Sequence, residues 1–149
     1  MRLLVALSRE DLDVANTATA LAKLTERHEV VVTHGLPLQT GHKLELELRN
    51  RLPGRDVVSV LSQIVVAAGG EEPTAITEVR SLRKLLESGA MVICAAGTQA
   101  PVTLGSDGSL RAVEAAVDER RAVDLLARRL DADLVLTGNE VGGAITLAV

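Results

Sequence analysis

The chain has 149 residues and 15.7 kDa, is 47% hydrophobic and 24% charged, and contains no Phe, Trp or Tyr. That length suits one domain spanning residues 1–149, with a core that has to be filled by Leu, Val, Ile and Ala. Lacking aromatics, the chain has no stacking platform for single-stranded nucleic acid, no groove for Pro-rich peptides and no cage for methylated ammonium groups.

With 16 basic residues against 20 acidic ones and a net charge of -4, there is no electrostatic footprint for nucleic acid or anionic lipid. The lone cysteine, Cys94, excludes an intramolecular disulfide and a Cys-based zinc site. Met1 to Leu7 is too short an apolar run for a signal peptide, and no stretch approaches the roughly 20 apolar residues of a membrane span. A cytoplasmic protein is expected, without nucleic-acid or membrane partners.

Arg2 to Leu7 is an apolar run halted by Ser8-Arg9-Glu10-Asp11, as in a strand buried on both faces that ends in a loop. Asp11 or Asp13 can cap the helix that follows, where Val14, Ala18, Leu21, Ala22 and Leu24 recur at helical spacing through Asn16 to His28. Glu29 to Thr33 is the second strand, ending at His34-Gly35. Strand, helix and strand within some thirty residues form a βαβ unit, which implies parallel pairing. Gly41 to Asn50 alternates like an edge strand, yet Leu44, Leu48 and Leu52 share a helical face; a short helix stopped by Pro53-Gly54 is expected.

Val57 to Val66 reads as one long strand with Gly69 to Pro73 as its exit loop. Thr74 is expected to cap a helix carrying Ile76, Val79, Leu82, Leu85 and Leu86, with Gly89 at its C-cap. Ala90 to Ala95 is another buried strand. Pro101 to Leu104 and Ser109 to Ala112 look like a small hairpin. Asp118 opens a helix with Val123, Leu126, Ala127 and Leu130 inward, Asp133 to Thr137 is the last strand, and a Gly-rich run leads into the apolar tail Ala144 to Val149. The expected fold class is α/β: a three-layer sandwich around a mostly parallel central sheet.

In such a sheet, ligands bind beyond the carboxyl ends of the strands. Those ends present Ser8 to Asp11, His34 to Gly41, Ala95 to Gln99, Asp118 to Arg120 and Thr137 to Glu140. His34 is either a general base near neutral pH or a hydrogen-bonded structural histidine. Glu10, Asp11, Asp118 and Glu119 are either a convergent carboxylate cluster or ordinary helix caps. Cys94, inside an apolar strand, reads as a small buried thiol.

Several of these runs resemble the carbamate kinases of the amino-acid kinase superfamily. They are Val5-Ala6-Leu7, Val30 to Gly35 with Gln39 and Gly41, Glu47 to Arg55, Val58 to Val66, Ala90 to Ala96 with Pro101-Val102, Val113 to Asp118, and Leu134 to Thr137. The resemblance runs in the family's order along nearly the whole chain and implies an amino-acid-kinase-like fold. Against the family, three blocks look removed: after Gly41, after Pro73-Thr74 and beyond Val149.

The loops that handle phosphate in the family are altered. Its Gly-Gly-Asn-Ala loop stands here as Ser8-Arg9-Glu10-Asp11, which sets two carboxylates beside a would-be phosphate. Its His-Gly-Asn-Gly-Pro-Gln-x-Gly loop is His34-Gly35-Leu36-Pro37-Leu38-Gln39-Thr40-Gly41. Its glycine run after the fourth strand is reduced to Gly97, and its Thr-Asp-Val has become Thr137-Gly138-Asn139.

The family's Ile-Asp-Lys-Asp is Val117-Asp118-Glu119-Arg120, so a lysine that stabilises the transferring phosphoryl group is replaced by a carboxylate. The resemblance therefore implies a shortened relative that has lost ATP-dependent phosphoryl transfer and needs no cofactor or metal. Its crevice is expected to serve a small-molecule ligand, with Glu10, His34 and Glu119 as acid/base residues. Ser8, Arg9, Gly35, Leu36, Leu38, Gln39, Gly97, Thr98, Gln99 and Asp118 would line it. The alternative is a non-catalytic pseudokinase acting as a dimerisation partner; a homodimer is expected because carbamate kinases are dimers. Residual kinase activity is the remaining reading.

Overall fold

A computed structural model describes residues 1–7, 12–96, 100–141 and 144–148, with the backbone alone described for residues 138–141 and 144–148. Arg2–Leu7 (β1) and Glu29–His34 (β2) pair in parallel, Arg2 opposite Glu29 through Leu7 opposite His34. Between them runs helix α1, Val14–Thr25. Its N-cap is Asp13, whose side chain accepts from the backbone N–H of Asn16 at 3.0 Å.

The successive side chains of β1 and β2 alternate between two cores, as period two requires. Leu4 and Val31 face one, with Leu82 and Leu86 of α3 (Val79–Glu87) and Leu125, Leu126 and Leu130 on or just past α4 (Glu119–Arg129). Val5, Leu7, Val30 and Val32 face the other, with Ala18 and Leu21 of α1 and Leu44 and Leu48 of α2 (Leu38–Arg51). Apolar residues on both faces of a strand demand helices on both sides, hence three layers.

The central sheet is completed by β3 (Val57–Val60), β6 (Met91–Cys94), β9 (Leu134–Val141) and β10 (Ala144–Ala148), in the order β10-β9-β1-β2-β6-β3. Five strands are parallel, and β10 runs antiparallel to β9 along one edge. The chain steps from β1 to one side and later returns to place β9 on the other. The strand order therefore reverses at β1, the switch point where a crevice opens beyond the carboxyl ends.

Three local expectations are corrected. The apolar run 57–66 is two strands in two sheets. β3 ends at Val60, and Ile64–Val66 (β4) joins a four-stranded sheet, β5-β4-β7-β8, with β5 at Pro73–Ile76, β7 at Val102–Leu104 and β8 at Leu110–Ala112. The break falls at Ser62, buried beside Cys94, and at Gln63, whose N–H donates to Thr77 Oγ1 at 2.8 Å. Second, Thr74 does not cap a helix. Residues 73–76 pair antiparallel with β4, and Ile76 reaches the core from this strand. Third, α2 and β9 are longer than expected, α2 starting at Leu38 and β9 running to Val141.

Helix α3 consequently begins at Val79 without a side-chain cap, behind Glu78 at φ 67°, ψ 13°. A left-handed conformation costs a side-chain-bearing residue about 1–2 kcal/mol, less for Asn, which also ranks among the best N-caps. Glu78→Asn is expected to raise stability by about 1 kcal/mol, read as a higher urea midpoint at unchanged m-value.

Candidate functional site

At the carboxyl ends of β1, β2 and β6 the chain encloses a cavity of about 250 Å³. Its floor is Ala6, Thr33 and His34, with Gly35 and Ala96 beside them. Ile64 and Ile76 of the small sheet form one wall, and Val117, Ala122, Val123 and Leu126 the other, along and just before α4. Glu119, in the first turn of α4, supplies a carboxylate to the lining. A second, more open hollow of about 550 Å³ shares Ala6, Glu119 and Val123 and runs along β9 past Arg120, Leu134 and Thr137. The two meet at Glu119.

Of the residues singled out from sequence, His34, Gly35 and Glu119 come together on the smaller cavity. Leu36 is buried in the core under α1 and α2, Leu38 and Gln39 are exposed in the first turn of α2, and Asp118 caps α4, its Oδ1 accepting from the N–H of Arg121 at 3.2 Å. None of these four lines the cavity. Ser8, Arg9, Glu10, Gly97, Thr98 and Gln99 lie outside the described residues. The apolar walls carried no sequence signal, because Ile64, Ile76, Ala122 and Leu126 read as ordinary core.

His34 is buried, and its Nδ1 accepts the N–H of Leu36 at 3.1 Å, which places the ring proton on Nε2. The opposite ring edge packs against Gly41. A Cβ at position 41 would lie 2.8 Å from Cε1 and 3.0 Å from Nε2. The imidazole thus shapes the turn between β2 and α2. Burial lowers its pKa from the ordinary 6.5, so the neutral form is favoured. Cys94 lies buried beside Ser62, its Sγ–H donating to Ser62 Oγ at 3.5 Å, and burial pushes its thiol up, away from the thiolate a nucleophile needs. Among the described residues no cluster of three His, Cys, Asp or Glu side chains has the arrangement to hold a metal ion, and no helix is long and apolar enough to cross a membrane.

A further hollow of about 620 Å³ lies at the opposite, amino ends of the strands. It is a shallow basin in which Arg2 is tied to Glu29 at 2.8 Å and to the Leu130 carbonyl at 2.6 Å. The carboxyl-end cavity is the candidate site because it sits at the switch point and is bounded by two sheets and a helix.

Two measurements probe the His34 turn. Gly→Ala inside a helix ordinarily gains about 1 kcal/mol, but at position 41 the clash with the imidazole, about 1–3 kcal/mol, outweighs it. Gly41→Ala is expected to destabilise the protein by about 1 kcal/mol, and the loss should shrink when His34→Ala removes the ring. Because the folded-state pKa of His34 is lowered, the unfolded chain binds its proton first on acidification. The stability due to this group is therefore fully present above about pH 6.5 and falls below it, with a slope of at most about 1.4 kcal/mol per pH unit. Urea titrations from pH 7.5 to 5 should show that slope in the wild type and lose it in His34→Gln.

No family model matches the chain. Carbamate kinase of Haemophilus influenzae is 41% identical over 69 residues, 46% of this chain and 22% of its own length, and that of Pyrococcus furiosus is 36% identical over 73 residues, 49% of this chain and 23% of its own. The matched stretches thus span under a quarter of those relatives. In fold the likeness is wider. Giardia carbamate kinase superposes with a TM-score of 0.80 at 18% identity, covering 94% of this chain and 73% of that one, and its AMP-PNP complex gives 0.74 over 94% and 71%. A crystal structure from Aeropyrum pernix gives 0.75 at 18% identity over 95% and 75%. With sequence identity over about half its length and the same fold over nearly all of it, the chain is similar to carbamate kinases and shares their fold.

Proposed function

We propose that this protein binds a small molecule in the crevice beyond β1, β2 and β6 and does not transfer phosphoryl groups by the family's route. The observation behind this reading is Glu119. It lines the cavity at the position where the resemblance puts the family's phosphoryl-stabilising lysine. A carboxylate there repels a phosphoryl group in flight, and preorganised positive charge is the main catalytic contribution in phosphoryl transfer. The cavity, at about 250 Å³, is also below the roughly 300–1,000 Å³ usual for sites that engulf a drug-sized ligand. If chemistry accompanies binding, it is acid/base chemistry by Glu119 with Glu10 and His34, carried out in the cytoplasm, where a lone thiol stays reduced.

The test is a melting experiment with AMP-PNP and magnesium, the nucleotide analogue borne by the Giardia enzyme. A ligand at 100 times its Kd stabilises by about 2.7 kcal/mol, several degrees for a chain of this size. No shift is expected at millimolar nucleotide, and no ATP from carbamoyl phosphate and ADP, whereas small uncharged and cationic fragments should perturb residues lining the crevice. A nucleotide-dependent shift, or ATP formation, sinks the reading.

A second reading, a homodimer without chemistry, is favoured by the exposed pair Leu104 and Leu110, which face each other across β7 and β8 at 59% and 48% exposure. Sedimentation at micromolar concentration should then show a dimer that Leu104→Glu with Leu110→Glu dissociates.

A further inference from the structure

The cavity beneath Glu119 has apolar walls, a floor that includes the polar Thr33 and His34, and an anionic group at one point. Ile64, Ile76, Ala96, Ala122 and Leu126 supply the inner apolar surface. Among the described residues, Glu119 is the one formally charged side chain in the lining, and it makes no ion pair. His34 brings no positive charge to the floor, since its Nδ1 is taken by the Leu36 N–H and its buried ring is held neutral. The positive end of α4 is already met by Asp118, whose carboxylate accepts from Arg121 N–H, so the Glu119 charge is not consumed in capping. Arg121 itself is paired with Glu72, outside the cavity lining.

We propose that this cavity takes a protonated primary or secondary alkyl amine, its ammonium on the Glu119 carboxylate and its chain against Ile64, Ile76 and Leu126. The assignment rests on the reading of the crevice as a small-molecule site and narrows it to one chemical class. An anion would meet a like charge at Glu119 with no cation among the described lining residues to offset it. A neutral alcohol gains the apolar wall but forgoes the charge-assisted hydrogen bond. Quaternary ammonium ions are disfavoured on two counts: they have no N–H to donate, and the chain has no aromatic residue to build a cage. Size sets the chain length. With about 30 Å³ per water of liquid volume, 250 Å³ holds roughly eight water-sized groups, which suits an amine of about four to eight heavy atoms.

The experiment uses the full chain with methyl-labelled Ile, Leu and Val, titrated separately with n-butylammonium, butyrate and 1-butanol at pH 7.5. The amine is expected to shift the Ile64, Ile76 and Leu126 methyls saturably, with butyrate and butanol at least tenfold weaker. Glu119→Gln should lose at least tenfold in amine affinity while melting within about 1 °C of the wild type, since this side chain is exposed and unpaired. Ala122→Val, which narrows the cavity from α4, should weaken the amine with Glu119 intact. Butyrate or butanol binding as tightly as the amine overturns the amine assignment and leaves the crevice reading standing. Amine affinity that survives Glu119→Gln overturns it as well. Silence of the three methyls toward all three probes overturns it too, and if AMP-PNP with magnesium shifts them instead, the crevice reading falls with it.

Discussion

Strands β1 and β2 are apolar on both faces, and covering them from both sides dictates where everything else in the protein goes. Leu4 and Val31 point to one layer of helices, Val5, Val30 and Val32 to the other, and all five are essentially inaccessible to water. Burying a side chain of this size gives roughly 1.5–3 kcal/mol, so a strand that left one face open would forfeit several such gains at once. Parallel pairing with helical crossovers is the arrangement that covers both faces, and it brings the ends of β1, β2 and β6 to one rim. The cavity sits at that rim.

The same requirement explains the second sheet. Once β3 has paired with β6, the apolar run that contains it has nothing more to gain in the central sheet, and Ile64–Val66 finds partners in β5 and β7. Ser62 and Gln63 mark the crossing. Both are polar residues whose partners, Cys94 and Thr77, lie far along the chain. Ile64, Val66 and Ile76 then cap the open end of the α3/α4 core, so the small sheet is at once a continuation of that core and a wall of the crevice.

How much of this was legible depends on where the deciding information lies. β1, α1, β2, β6 and α4 were readable because each is an apolar run or an amphipathic repeat with local punctuation: Asp13 and Asp118 at helix starts, Gly89 at φ +90° after α3. The split of 57–66 was not, since the polar pair Ser62-Gln63 suits a strand's exposed face as well as a break, and only pairing with β5 and β7 decides between them. Thr74 misled for a related reason: threonine suits a helix cap and a strand alike, and the choice was made by pairing with Val65, its Oγ1 donating to that carbonyl at 3.3 Å. At the site, His34 and Glu119 stood out as polar residues at element ends. The wall built by Ile64 and Ile76 depends on tertiary pairing of the small sheet and was invisible for the same reason as the split.

The distribution of charge around α4 ties the sheet, the helix and the crevice together. The segment before the helix and the helix's first turn each meet the turn between β4 and β5: Glu71 Oε1 accepts the N–H of Ala116 at 3.4 Å, and Arg121 pairs with Glu72. Both members of that ion pair are well exposed, so its contribution to stability is at most about 1 kcal/mol and less in salt. Its consequence is positional. It links the sheet that carries Ile64 and Ile76 to the helix that carries Glu119, so that the apolar wall and the carboxylate of the crevice are held in one register. In a chain without Phe, Trp or Tyr, whose interior is packed mainly by Leu, Val, Ile and Ala, a pocket is not walled by a large aromatic side chain. It is enclosed instead by several small side chains from separate elements, with the Glu119 carboxylate in its lining.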